Sequence, residues 1–137
     1  MNKEPRWIPR QAIIDLHKGQ IAEHGGLEGI QNPGGLDSAL ARPKQIYSYG
    51  GEKSDICSLA AAYAFGLARN HPFVDGNKRM SLMSISVFLG MNKYYLDARE
   101  EDAYQTMTKV ADGSLLEEEL TEWIRSNSFF VNTSSPK

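Results

Sequence analysis

Two stretches of this chain have almost no polar face: "ICSLAAAYAFGLARN" at positions 56–70 and "KRMSLMSISVFLGMN" at 78–92. Each has the length of a helix, and a helix that is apolar nearly all round is stable only when other elements cover it. Alanines in the first run favour close approach of a neighbour. The fold is therefore built around two central helices joined by one short polar loop. The remaining segments must supply the cover. "RQAIIDLHKGQIAEH", behind Pro9, places Ile13, Ile14, Leu16 and Ile21 near one face at helical spacing. "LDSALAR" reads as a short helix with Asp37 as its N-cap and Pro43 as its stop. "EEDAYQTMTKVADG", with Gly113 as a C-cap candidate, and "LLEEELTEWIRSN" are amphipathic and close the domain.

The fold class that follows is all-α: a compact single-domain helical fold spanning residues 1–137, with its core at about 8–126. Three connections are less regular. "PKQIYSYGGEKSD" combines Ile46, Tyr47 and Tyr49 with a Gly50-Gly51 turn signal, and is expected to form a short hairpin or an ordered loop. Ser54 or Asp55 then caps the first central helix. "KYYLDAR" is a connection with one short extended piece, and residues 127–137 are expected to fray.

With 15 Lys+Arg against 17 Asp+Glu the net charge is −2, which gives no support for a nucleic-acid binder working through its global field. The one cysteine, Cys57, excludes an internal disulfide, points to a reducing compartment, and sits where a small buried hydrophobe is needed. "MNKEPRWIPR" lacks the apolar core of a signal peptide, and no run approaches the ~18 apolar residues of a membrane span. A cytoplasmic protein is expected.

The chemistry is concentrated in "ARNHPFVDGNKRMSL", positions 68–82. Proline lacks an amide proton and biases the preceding residue away from helical angles, so His71 is held at a helix end facing a cavity. Gly76 permits a backbone angle that lets neighbouring amides converge. Asn77 can brace the loop or cap the next helix. From Lys78 onward that helix offers unpaired amides and the positive end of its dipole, and Lys78 and Arg79 add two full charges. Asp75 can hold a divalent metal against phosphate oxygens. His71 is the group suited to removing a proton from a hydroxyl. Each residue also has a plain reading: a helix-end histidine, an Asp-Gly-Asn turn and a solvated cation pair. A plain turn does not need base, metal ligand, nest and cations together.

"HPFVDGNKR" resembles the signature of the Fic/Doc superfamily, His-x-Phe-x-Asp/Glu-Gly/Ala-Asn-Gly/Lys-Arg, with His71, Phe73, Asp75, Gly76, Asn77, Lys78 and Arg79 in register. "HGGLEGIQNPGGLDSALARPKQ" resembles the segment upstream of that motif in the death-on-curing (Doc) branch. Two positions depart from the form that transfers AMP: Lys78 stands where that form has glycine, and Leu82 where it has a second arginine. Lysine fills space that glycine leaves to phosphates, and Leu82 removes a bidentate phosphate clamp. The resemblance implies a protein kinase that moves the γ-phosphate of ATP, with Mg²⁺, to a Ser/Thr hydroxyl of a translation factor. Elongation factor Tu is the expected target.

In the same terms His71 is the general base, Asp75 holds Mg²⁺, and Gly76, Asn77, Lys78 and Arg79 make the phosphate nest. Phe73 is a packing residue. The "PKQIYSYGG" segment takes the place of the flap that aligns the target. No Ser/Thr-x-x-x-Glu-Gly/Asn inhibitory sequence occurs in the chain. The implied partner is instead a separate antitoxin whose C-terminal segment folds as a helix into a groove of the toxin. Two alternatives remain at this stage: an AMP transferase that tolerates Lys78, and an inactive relative acting only as a binding or regulatory module.

Overall fold

The structure, a computed structural model, describes residues 4–51 and 54–131. Six helices follow in order: α1 (Arg10–His24), α2 (Pro33–Gly50), α3 (Ile56–Asn70), α4 (Asn77–Met91), α5 (Glu100–Ala111) and α6 (Glu117–Ser126). A two-stranded antiparallel ribbon joins β1 (Tyr94–Leu96) to β2 (Ser128–Phe130), with Tyr95 opposite Phe129. The architecture is all-α, as the helical patterning implied. Among the described residues no helix is long and apolar enough to cross a membrane.

The two apolar runs become α3 and α4, which pack side by side at the centre. In α3, ten of fifteen residues are buried, including Leu59, Tyr63 and Leu67, because α2, α4, α5 and α6 all lean on it. The close approach expected of its small residues occurs at Gly66, where an added Cβ would lie 3.0 Å from the Cβ of Ala39 on α2. The buried serines of α4 keep their hydroxyls paired. Ser81 Oγ donates to the Asn77 carbonyl and Ser84 Oγ to the Ser81 carbonyl, so neither hydroxyl is left unpaired. Cys57 is buried, and burial pushes its thiol up, away from the reactive thiolate.

Three expectations are corrected. Pro43 does not stop α2, which runs on to Gly50, so the segment expected as a hairpin or loop flap is helical from residue 43 to residue 50. Leu36, Ala39, Pro43 and Ile46 recur at helical spacing, and the first three are buried in the face that meets α3. Packing of that stripe outweighs the roughly 3 kcal/mol that an interior proline costs. The N-cap of α2 is Asn32, whose Oδ1 accepts from the Gly35 amide, while Asp37 pairs with Arg10 at 2.7 Å. Finally, residues 128–130 are a strand of the ribbon and not part of a frayed tail, since β1 offers them a partner edge. Residues 132–137 lie outside the described residues.

Asp55 fixes where α3 begins. Its Oδ1 accepts from the Ser58 amide at 2.8 Å as an N-cap, and its Oδ2 accepts from Arg125 of α6 at 2.6 Å. Burial pushes this carboxyl up, but the bonds from Arg125 and the Ser58 amide outweigh it and hold Asp55 below the ordinary carboxylate range. A folded-state value below the unfolded one stabilises above the unfolded value and is lost as pH falls through the folded one. Asp55→Ala is expected to lower stability by about 1 kcal/mol through loss of the cap. Asp55→Asn, which keeps a cap but no charge, should cost less at neutral pH. Its difference from wild type should vanish as urea titrations are carried down through the carboxylate range.

Candidate active site

The stretch 71–79 lies where the end of α3 meets the start of α4. α3 closes at His71, which adopts left-handed backbone angles (φ 47°, ψ 56°) and not the extended ones that a following proline usually imposes. For a non-glycine residue this costs on the order of 1 kcal/mol, so the surroundings must enforce it. They do so through an upstream loop, residues 25–32. Gln31 Nε2 donates to the His71 carbonyl, Asn32 Nδ2 to the Asn70 carbonyl, and the Gln31 and Asn32 amides to the Pro72 carbonyl. The Val74 amide donates to Gly29, and Ile30 and Phe73 form an antiparallel bridge. The two loops are thus a pair, held by backbone bonds.

Asn77 braces the loop and does not cap the helix. Its Oδ1 accepts from the Phe73 amide at 3.0 Å and its Nδ2 donates to the Phe73 carbonyl at 2.9 Å. The same Nδ2 points toward His71 Nδ1 at 3.4 Å, a long contact that steers the ring without locking its tautomer. Since the residue before α4 is Gly76 (φ 81°) and no side chain caps the helix, the first-turn amides of α4 are offered outward.

His71, Asp75, Gly76, Asn77, Lys78 and Arg79 all line one cavity of about 350 Å³, together with Val74 and Tyr104 of α5. Every site residue expected from the sequence is therefore brought together. Neither Lys78 nor Arg79 forms an ion pair among the described residues, and Lys78 Nζ stands 5.5 Å from the centre of the Tyr104 ring. Phe73 is fully buried, in keeping with a packing role.

Asp75 is exposed, and each of its oxygens accepts one backbone N–H: Oδ1 from Gly76 at 2.9 Å and Oδ2 from Leu27 at 3.2 Å. Gly26 makes this possible. An added Cβ there would lie 2.8 Å from Asp75 Oδ2, and its φ of +118° is itself hostile to other residues.

Three participants were not legible in the sequence. His17 of α1 is 3% exposed, stacked on Phe73 with centroids 3.9 Å apart, and 2.8 Å from the Asp75 carbonyl through Nε2. The α1 stripe that faces inward is Ile13, His17 and Ile21, whereas Ile14 and Leu16 are half-buried. The spacing of His17 from Ile13 and Ile21, four residues each way, was the available signal. Tyr104 and Leu27 carry no local signal, because only the fold brings Tyr104 to the cavity and the Leu27 amide to Asp75.

The arrangement sets an uncapped helix N-terminus, two cations without an ion pair among the described residues, an exposed carboxylate and an imidazole around one opening, groups that can hold an anion and take a proton. Asn77→Ala should unpair both buried groups of Phe73, lowering stability by about 2 kcal/mol. The melting temperature and the affinity for a phosphate ligand should both fall. An unchanged melting temperature would show that Asn77 is not the brace.

Comparison with known proteins agrees with this geometry. Residues 7–89 match the Fic/DOC family. Over 87 residues the chain is 36% identical to "Protein kinase doc" of Escherichia phage P1, covering 64% of this chain and 68% of that protein. It is 42% identical over 93 residues to "Toxin Doc" of Mycolicibacterium smegmatis, covering 67% of this chain and 68% of that one.

Proposed function

The chain belongs to the Fic/DOC family and resembles its Doc-type toxins, and on that premise we propose that it transfers the γ-phosphate of ATP to a Ser/Thr hydroxyl of a translation factor. The observation that carries this is the uncapped start of α4 beside His71, with Lys78 and Arg79, which form no ion pair among the described residues, at the same opening. The amides of the first turn and the two cations hold the phosphates by charge-assisted hydrogen bonds. His71 takes the proton of the target hydroxyl as its oxygen bonds to the γ-phosphorus. The bond from that phosphorus to the bridging oxygen breaks, and ADP leaves.

The donor set fits Mg²⁺ brought with a nucleotide better than a protein-built metal site. No group of three or more His, Cys, Asp or Glu side chains that could hold a metal occurs among the described residues, and Asp75 is the one carboxylate among those that line the cavity. Mg²⁺ is commonly held by one or two carboxylates together with substrate phosphates and water. When bound, it supplies neutralisation of phosphate charge. Asp75 would hold it, kept in place by the Leu27 and Gly76 amides.

Lys78 favours phosphate over AMP as the transferred group. Its stem occupies space at the second position of α4, where a glycine would leave the α-phosphate free to approach. The Doc-type relatives imply a cognate antitoxin, which on this proposal docks a helical segment into a groove of the toxin.

Incubation with ATP, Mg²⁺ and elongation factor Tu should add one phosphate to the factor by intact mass. His71→Ala should fold normally, with an unchanged melting curve, and lower the rate by at least about a hundredfold. A gain of one AMP would establish the adenylyl-transfer alternative, and a fully active His71→Ala would remove the base.

A further inference from the structure

We propose that His17, outside the motif, is a positioning residue that sets the orientation of the Asp75–Gly76 peptide and thereby keeps the Gly76 amide on the Asp75 carboxylate at the rim of the cavity. The relevance to catalysis rests on the phosphate-site proposal above. The orientation itself stands on geometry.

His17 projects from α1 into the interior and is 3% exposed. Its Nε2 lies 2.8 Å from the Asp75 carbonyl oxygen. A carbonyl can only accept, so Nε2 carries the proton and the neutral ring is the Nε2–H tautomer. The ring also lies flat on Phe73, at 10° between planes, so it cannot swing away without breaking that stack.

The consequence reaches the opposite side of one peptide plane. All peptide bonds of the described chain are trans, and in a trans peptide C=O and N–H point in opposite directions. With the Asp75 oxygen drawn inward to His17, the Gly76 N–H is driven outward. There it donates to Asp75 Oδ1 at 2.9 Å, at the rim of the cavity lined by Asp75, Gly76, Asn77 and Lys78.

Gly76 has φ 81° and ψ 19°, close to the third residue of a type II turn. Flipping this one peptide converts such a turn into type I, with the carbonyl outward and the amide buried. In the flipped form the Asp75 carboxylate would face a carbonyl oxygen in place of its donor and be repelled from its place at the rim. Gly76 makes the type II form accessible, and the donor that holds the peptide in it sits on α1, fifty-eight residues away.

Two variants separate the donor from the packing. His17→Phe keeps a flat ring against Phe73 and loses the N–H. His17→Gln loses the ring but places an amide donor at a similar reach. In ¹⁵N NMR the wild-type His17 imidazole should show the Nε2–H tautomer. The Gly76 amide resonance should move in His17→Phe and return toward its wild-type position in His17→Gln. Titration with Mg·ATP should show about tenfold weaker binding in His17→Phe and recovery in His17→Gln.

An unmoved Gly76 resonance with wild-type affinity in His17→Phe would overturn the proposal. So would equal loss in both variants at matched thermal stability, since packing alone would then explain His17. If His17→Phe does not fold, His17→Gln decides, with near-wild-type Gly76 position and affinity expected. A wild-type protein that takes no Mg·ATP would sink the proposed function, while the Gly76 resonance would still judge His17.

Discussion

Everything at the site depends on one side-chain amide. Asn77 satisfies both the N–H and the C=O of Phe73, closing the turn between α3 and α4 into a ring of fixed size. Those two backbone groups are buried, and leaving either unpaired would cost about 1–3 kcal/mol. The residue before α4 is Gly76, which has no side chain to cap the helix, so the amides of the first turn stay free while Asn77, the first helical residue, is committed to the loop. Asn77 thus stiffens the turn, and Gly76 leaves the helix terminus open to an anion. The phosphate site proposed here is a by-product of how the loop is closed.

Around that ring the rigid parts are layered. The inner layer is α3 against α4, buried by the surrounding helices. The outer layer is the loop of residues 25–32, which bonds to the carbonyls of Asn70, His71 and Pro72 and holds Asp75 by its carboxylate. A phosphate site built this way would bind without first ordering its donors, and preorganised donors are worth more than donors that must be recruited. The strained angles of His71 belong to the same construction. They persist because the bonds from Gln31 and Asn32 over-determine the backbone there.

The sequence disclosed the centre of this protein better than its edges. The bounds of α3 and the gathering of His71, Asp75, Gly76, Lys78 and Arg79 at one loop follow from local signals: apolar runs without a polar face, a His-Pro break, a glycine before a helix. Asn77 was open between brace and cap, and only the position of Phe73 decides it. Pro43 misled because a local stop signal competes with a buried stripe whose partner, α3, lies downstream. The β2 strand at 128–130 was illegible for a related reason, since three residues pair only when another edge is presented. His17 was hidden by residue type. Among isoleucines on an apolar face it looks like an exception, yet its ring nitrogen reaches the Asp75 carbonyl.

The central claim is that the cavity at the head of α4 presents the γ-phosphate to a hydroxyl beside His71. The most direct measurement is to follow the label from ATP marked at the γ-phosphorus, and in parallel from ATP marked at the α-phosphorus, into protein of a bacterial extract with Mg²⁺ present. The account predicts that γ-label becomes protein-bound and α-label does not. Protein-bound α-label, or no transfer of either, would contradict it.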